Sequence, residues 1–394
     1  MSTLNFLLTL AAGVSAAGWI YLLFFHGRFW RCSERLDGAP EEPARWPVVT
    51  AVIPARNEAP IIESTLPTLL NQDYPGELHI IVVNDESGDD TAQAALRAAK
   101  AHARKERFHL EHTADRPAGW VGKMWALDTG VRAAKALVPE TKYFLFTDAD
   151  IAHSTGNLRS LVKKAESGRL DLVSLMVLLR CGRGWTRLLI PAFVYFFQQL
   201  YPFSWVNDES RRTAAAAGGC MLVGKNALER AGGLERIRGE IIDDCALAGV
   251  IKRAGPVWLG LTATERSVRP YSGLNEIWEM VVRSAYTELN CSPTLLTATL
   301  AAMFLCYLAG PLAFLLWPLH GSAPAALMGG AAWFISALSF MPALALYGRS
   351  RLLAPFLPIA ALLYGIMTLD SARRHMRGTG ALWKGRVGAG SMDA

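Results

Sequence analysis

Residues 143–153 read YFLFTDADIAH. Tyr143 to Phe146 form a short apolar run of the kind that makes a buried strand, and the run leads straight into Asp148 and Asp150 with one alanine between them. Two carboxylates so close repel each other, and an apolar core offers nothing in return. A positive counter-charge is therefore expected at the end of this strand. The alternative is that Asp148 merely caps a following helix.

Around this stretch, residues 46–290 alternate short apolar runs with helical patterns. VVTAVIPA at 48–55, LHIIVVND at 78–85 and LVSLMVLL at 172–179 read as strands, and 91–105 reads as a helix. This alternation predicts an α/β fold, a Rossmann-like and mainly parallel sheet with helices on both faces, whose ligands gather at the carboxyl ends of the strands. Acids stand at those ends: Glu58 after the first run, Asp85 after the second, Asp148 and Asp150 after YFLFT. No GxGxxG follows the first strand, and Gly122-Lys123 lacks the rest of a P-loop, so both common nucleotide motifs are excluded.

The flanks point to a lipid bilayer. The chain has 394 residues, 52% of them hydrophobic, with a mean hydropathy of +0.21, which is high for a chain wholly in water. Asn5 to Phe25 carry no charge and are followed by Arg28, Arg31 and Arg35, so residues 1–27 are expected to be a retained transmembrane anchor that leaves the rest cytoplasmic. Thr294–Leu319 and Ala323–Tyr347 are each long enough to cross, while Leu352–Leu369 is borderline. Together they predict a C-terminal membrane domain over 294–370, followed by a basic tail at 371–394. The expected location is the cytoplasmic (inner) membrane, multi-pass. Three C-terminal crossings would leave Arg373, Arg374, Arg377, Lys384 and Arg386 outside, against the positive-inside tendency. Leu352–Leu369, interrupted by Pro355 and Pro358, is therefore expected to re-enter.

A fourth apolar stretch, residues 188–207 (LLIPAFVYFFQQLYPFSWVN), has no charge either. One crossing there would separate Asp148 and Asp150 from Asp244, so an interfacial or re-entrant segment is expected, with a buried core helix as the alternative. The net charge of +6 is spread over small clusters and suits anionic headgroups. No nucleic-acid motif accompanies it, and nucleic acid is not expected as a partner. The six cysteines show no CxxC spacing and are read as reduced thiols.

At this point the motifs resemble those of the family 2 glycosyltransferases, which have a GT-A fold. VIPARNEAPI is similar to the family's opening strand and PxxNE turn, VNDESGDDT to VDDxSxDxT, TDAD to DxD, and GGCMLVGKNALERAGGL with IIDDCAL to the acceptor-side glycine segment and the ED motif. GWVGKMWAL, TDADIAH, TAAAAGGCMLV, IDDCALA and WKGR further resemble membrane-attached ceramide-glucosyltransferase-like members, among them the hopene-associated glycosyltransferases of bacterial hopanoid gene clusters.

The resemblance implies a metal-dependent, inverting transfer from a nucleotide-sugar donor, UDP-linked, to a hydroxyl of a membrane lipid. A polyprenyl-phosphate or glycan acceptor and a noncatalytic scaffold are the competing readings. Asp148 and Asp150 would hold Mg2+ or Mn2+ through oxygen, with Asp150 the more direct ligand. Asp85 would contact the base and Glu58 the ribose, while Asp89 reads as a helix cap. Asp244 would be the general base, with Asp243 beside it in place of the usual Glu. Lys123, after the flexible AGWVG, and Arg283, at the arginine of a degenerate QxxRW motif, would face the diphosphate. Met280 and Ser284 replace the glutamine and tryptophan of that motif. Gly218 and Gly219 would let a bulky acceptor approach the backbone.

Overall fold

The structure is a computed structural model, and it describes residues 3–36, 42–102, 105–379, 382–383 and 386–387. Lys384 of the expected basic tail lies outside the described residues. The chain divides into two compact units: a helical unit of Met1–Cys32, Cys181–Ser204 and Tyr271–Ala381, and a sheet unit of Ser33–Arg180, Trp205–Pro270 and Leu382–Ala394. Residues 46–290, within which 188–207 was expected to be interfacial or re-entrant, are thus divided between the two units. Residues 181–204 and those from 271 onwards group with the terminal helices.

The sheet unit is built on β1 (Val49–Ala55), β2 (Leu78–Asn84), β3 (Phe108–His112), β4 (Tyr143–Thr147), β5 (Ile151–Ala152), β6 (Leu172–Leu178), β7 (Cys220–Gly224) and β8 (Val257–Ser267). Their order across the sheet is β3-β2-β1-β4-β7-β6-β8-β5. β3, β2, β1 and β4 run parallel, as expected. β7 is antiparallel to both β4 and β6, and β5 is antiparallel to β8. The sheet is therefore mixed.

Side chains alternate between the two faces, and both faces are buried. Val49, Ala51 and Ile53 of β1 with Leu78, Ile80 and Val82 of β2 join one core cluster with the helices Ala59–Leu70, Thr91–Lys100 and Asn157–Gly168. On the other face the helix Gly122–Leu137 packs against β1 and β2 so closely that a Cβ on Gly130 would lie 2.3 Å from Val52 Cγ1. Helices thus cover both faces.

The topology also explains how the strand ends become a site. Parallel pairing brings the carboxyl ends of β1, β2 and β4 to one edge. Antiparallel pairing of Thr147 with Cys220 then brings the start of β7 to that same edge, and pairing of Ile151 with Ser267 brings the end of β8 there.

Among the described residues of the helical unit, four helical stretches are long and apolar enough to cross a membrane: Thr3–Phe24, Pro293–Leu315, Ala323–Leu346 and Arg351–Met376. The last of them opens as a 3-10 helix, Arg351–Phe356, with Pro355 inside it, and continues as the α-helix Leu357–Met376, where Pro358 falls in the first turn and its missing N–H has no helical partner to lose. The second contains a π-helical turn at Phe304–Ala309, and Trp19 Nε1 donates to the Cys306 carbonyl of that turn at 2.6 Å.

The helix Thr186–Leu200, expected to lie in the interface, is packed within this unit and buries Leu188, Leu189, Ile190, Ala192, Val194 and Tyr195. Tyr195 Oη meets Ser339 Oγ at 2.7 Å, and Tyr364 Oη donates to the Leu189 carbonyl at 2.9 Å. Fifteen residues span roughly 22 Å at the helical rise, less than the hydrocarbon thickness of about 30 Å. Apolar side chains all round suit such enclosure as well as they suit lipid.

Candidate active site

Asp148 and Asp150 emerge from β4 into a turn closed by Ile151 N–H donating to the Asp148 carbonyl at 3.2 Å. Each has a basic partner. Lys123 Nζ is 3.0 Å from Asp148 Oδ1, and Arg269 Nε is 3.2 Å from Asp150 Oδ2. The counter-charge expected at this strand end is thus supplied, at least in part, by the chain itself.

Lys123 also reaches Asp243 Oδ2 at 3.1 Å, so a single ammonium links the acids after β4 to the acidic pair that opens the helix Asp243–Lys252. Burial alone would push the Lys123 pKa down. Asp148, Asp243 and Asp244 more than reverse this and hold it well above the ordinary lysine value.

Asp244 is fixed by two backbone donors at 2.8 Å, Gly218 N–H to Oδ2 and Cys245 N–H to Oδ1. Burial, then the charge of Asp243, push its pKa up to about 6, against Lys123 and the two N–H groups. A Cβ on Gly218 would stand 3.2 Å from Lys123 Nζ and 3.3 Å from Asp244 Oδ2. At Gly219 it would stand 2.9 Å from Val177 Cγ2. On the side where a Cβ would stand, both glycines thus face the chain's own side chains.

At the neighbouring strand ends, Glu58 is 5% exposed and pairs with Arg269 Nη2 at 2.6 Å. Asp85 is fully buried, with Arg56 Nη1 3.7 Å from its carboxylate and Thr113 Oγ1 donating to it at 3.2 Å. Asp89 accepts from Ala59 N–H at 3.2 Å and Thr91 N–H at 3.1 Å, which makes it a cap for two helix starts. Arg283 belongs to the helical unit, exposed just past the helix Leu274–Val282.

Sequence reasoning missed two groups. Arg269 is one. The other is a buried chain behind β4: Asn157 Nδ2 lies 2.8 Å from His153 Nδ1, His153 Nε2 lies 3.0 Å from Thr147 Oγ1, and Thr147 Oγ1 donates to the Gly219 carbonyl at 2.8 Å. Burial pushes the His153 pKa down to about 4, so the ring is neutral and ties β4 to the glycine segment. Its signal was the HxxxN spacing just after TDAD.

Two loops are also joined directly. Val121 N–H donates to the Arg238 carbonyl at 2.8 Å, linking the stretch before Lys123 to the stretch before Asp243.

Among the described residues, no group of three or more His, Cys, Asp or Glu side chains converges to cage a metal. Mg2+ commonly needs only one or two carboxylates when phosphate oxygens and water complete its shell. Asp148, with 37% of its side chain exposed, and Asp150 fit an ion of that kind, one arriving with a diphosphate. They do not fit a site that the protein completes alone.

Residues 50–231 match the family model described as Glycosyl transferase family 2. An uncharacterized glycosyltransferase, EpsJ, of Bacillus subtilis (strain 168) is 32% identical over 127 residues, which cover 32% of this chain and 33% of that protein. An N-acetylglucosaminyltransferase of Rhizobium meliloti (strain 1021) is 37% identical over 70 residues, 18% of this chain and 16% of that protein. The chain thus spans a third or less of the length of these curated relatives.

Among solved structures, the mannosyltransferase PcManGT from Pyrobaculum calidifontis, in complex with GDP-Man and Mn2+, aligns with a TM-score of 0.55 at 21% identity, over 92% of this chain and 98% of that one. At that identity the likeness is one of fold. The fold is GT-A-like, and residues 50–231 are similar to the glycosyltransferase family 2 domain.

Proposed function

We propose that the protein is a membrane-bound, inverting glycosyltransferase that moves a sugar from a nucleotide donor to a hydroxyl of a membrane lipid. By motif resemblance the lipid is a hopanoid and the donor UDP-linked. The reading places the protein in the cytoplasmic membrane with the sheet unit on the cytoplasmic side. It is supported by a family 2 domain in the same chain as four helices of membrane-crossing length.

The observation that carries it is the single lysine bonded both to Asp148, on the donor side, and to Asp243, beside the base. In this reading Glu58 and Asp85 bind the nucleoside, and Arg283 contributes to phosphate binding. Asp244 accepts the proton of the acceptor hydroxyl as that oxygen attacks the anomeric carbon. The bond from that carbon to the diphosphate oxygen breaks with inversion. A base held near pKa 6 is largely ionised at pH 7, yet more basic than an exposed aspartate. Lys123 keeps the neighbouring acids from repelling Asp244 out of place. A bound Mg2+ or Mn2+ ion would offset charge on the departing diphosphate.

The test is to incubate membranes containing the protein with a panel of labelled UDP- and GDP-sugars, with Mg2+ or Mn2+, and to analyse the lipid extract. GDP-mannose belongs in the panel because the PcManGT structure holds it. Label in a hydroxyl-bearing lipid is the expected result. Label only in a polyprenyl phosphate would replace the acceptor, and no label from any donor would overturn the reading.

A further inference from the structure

Arg269 lies two residues past the end of β8, and the loop it opens is wrapped around one acid. Val268 N–H donates to the Asp150 carbonyl at 2.9 Å, Ser267 Oγ to Asp150 Oδ2 at 2.6 Å, and Arg269 Nε to that same oxygen at 3.2 Å. Arg269 N–H in turn donates to Ser267 Oγ at 3.2 Å. These contacts fix one edge of the guanidinium against Asp150. Its other arm, Nη2, meets Glu58 Oε1 at 2.6 Å. Glu58 and Asp150 are 5% and 7% exposed and stand beyond the ends of neighbouring strands. Two nearly buried acids are thus held at one separation by a single planar fork, a task that the point charge of a lysine cannot perform.

We propose that Arg269 is a positioning residue for donor binding: by bridging Glu58 and Asp150 it sets the seat for the ribose and diphosphate of a nucleotide sugar. The proposal rests on the reading of those two acids as donor contacts. An arginine that only tied β8 to the sheet would need one of them.

The test uses the full-length protein in detergent, with Arg269→Lys, Arg269→Ala, Glu58→Gln and the double variant Glu58→Gln/Arg269→Lys. Binding of UDP and GDP is measured by calorimetry with and without Mn2+, alongside melting of the ligand-free protein. Arg269→Lys is expected to melt close to wild type, bind the nucleotide about tenfold more weakly and raise donor KM more than it lowers kcat. The double variant should bind no worse than the weaker single variant, because the two residues act as one unit.

Wild-type affinity in Arg269→Lys, additive losses in the double variant, or a lysine variant that fails to fold would each make Arg269 a structural tie and overturn the proposal. Binding of neither nucleotide by the wild type would instead overturn the donor-site reading beneath it.

Discussion

Phe144 and Phe146 in the sheet unit are 0% and 1% exposed, whereas Phe6, Phe24 and Phe334 in the helical unit are 56%, 64% and 65% exposed. Charge is distributed the other way. The sheet unit draws Glu58, Asp85 and Asp150 almost out of solvent and answers them with Arg56 and Arg269. The helical unit hides mainly hydroxyls, such as Ser15, Ser336 and Ser339. The difference teaches what each unit faces. Buried, paired acids cost desolvation, and they recur where a site needs them. Outward phenylalanines on long helices are stable where lipid replaces water.

Four substitutions would break or sharpen this contrast. The largest effect is expected from Asp244→Asn, which removes the proposed base: sugar transfer to the proposed acceptor should fall by about 10²–10⁴ while nucleotide binding persists. Turnover within tenfold of wild type would remove Asp244 from that role. In the wild type, the rate should decline as pH falls through about 6, because protonation of a carboxylate whose pKa is raised to that value removes the base.

Lys123→Met should come next. Asp148, Asp243 and Asp244 would lose their shared cation, and about 2–4 kcal/mol of stability should go with it, discounted because Asp148 is more than a third exposed. That loss should grow as pH rises through about 6 and Asp244 ionises, and the acid limb of the rate profile should move above that value. A pH-independent melting temperature equal to wild type would show that the acids do not depend on Lys123.

Smaller still is Gly130→Ala. Its Cβ would meet Val52, an overpacking of about 1–3 kcal/mol reduced by nearly 1 kcal/mol of gained helix propensity. Urea titration of the purified protein measures it. The smallest effect is expected from Arg97→Ala, which removes an exposed ion pair with Glu63 and should leave the melting temperature unchanged.

Much of the sheet unit was legible because β1, β2, β4 and β6 are largely apolar runs, the first three followed by acids, and such runs mark buried strands. β8 escaped notice. Its second half, Thr262 to Ser267, is polar, and its burial depends on partners such as Thr262 on Glu265 and Ser154 on Glu265. β5 has two residues, too few for any periodicity. The acids of the site could be read from spacing, but their cations could not be assigned. Arg269 meets Asp150 only because β5 pairs with β8, a long-range register invisible in a local window. The surroundings of the helix at 186–200 were not legible for a related reason: an apolar stretch does not reveal whether lipid or neighbouring helices will cover it.

The bond from Val121 to the Arg238 carbonyl has a practical consequence. Because one backbone amide clasps the approach to Lys123 against the approach to Asp243, its exchange with deuterated water reads the parting of both loops at once. A single mass-resolved peptide covering Val121 would therefore serve as a clock for opening of the site, without a label or a substrate.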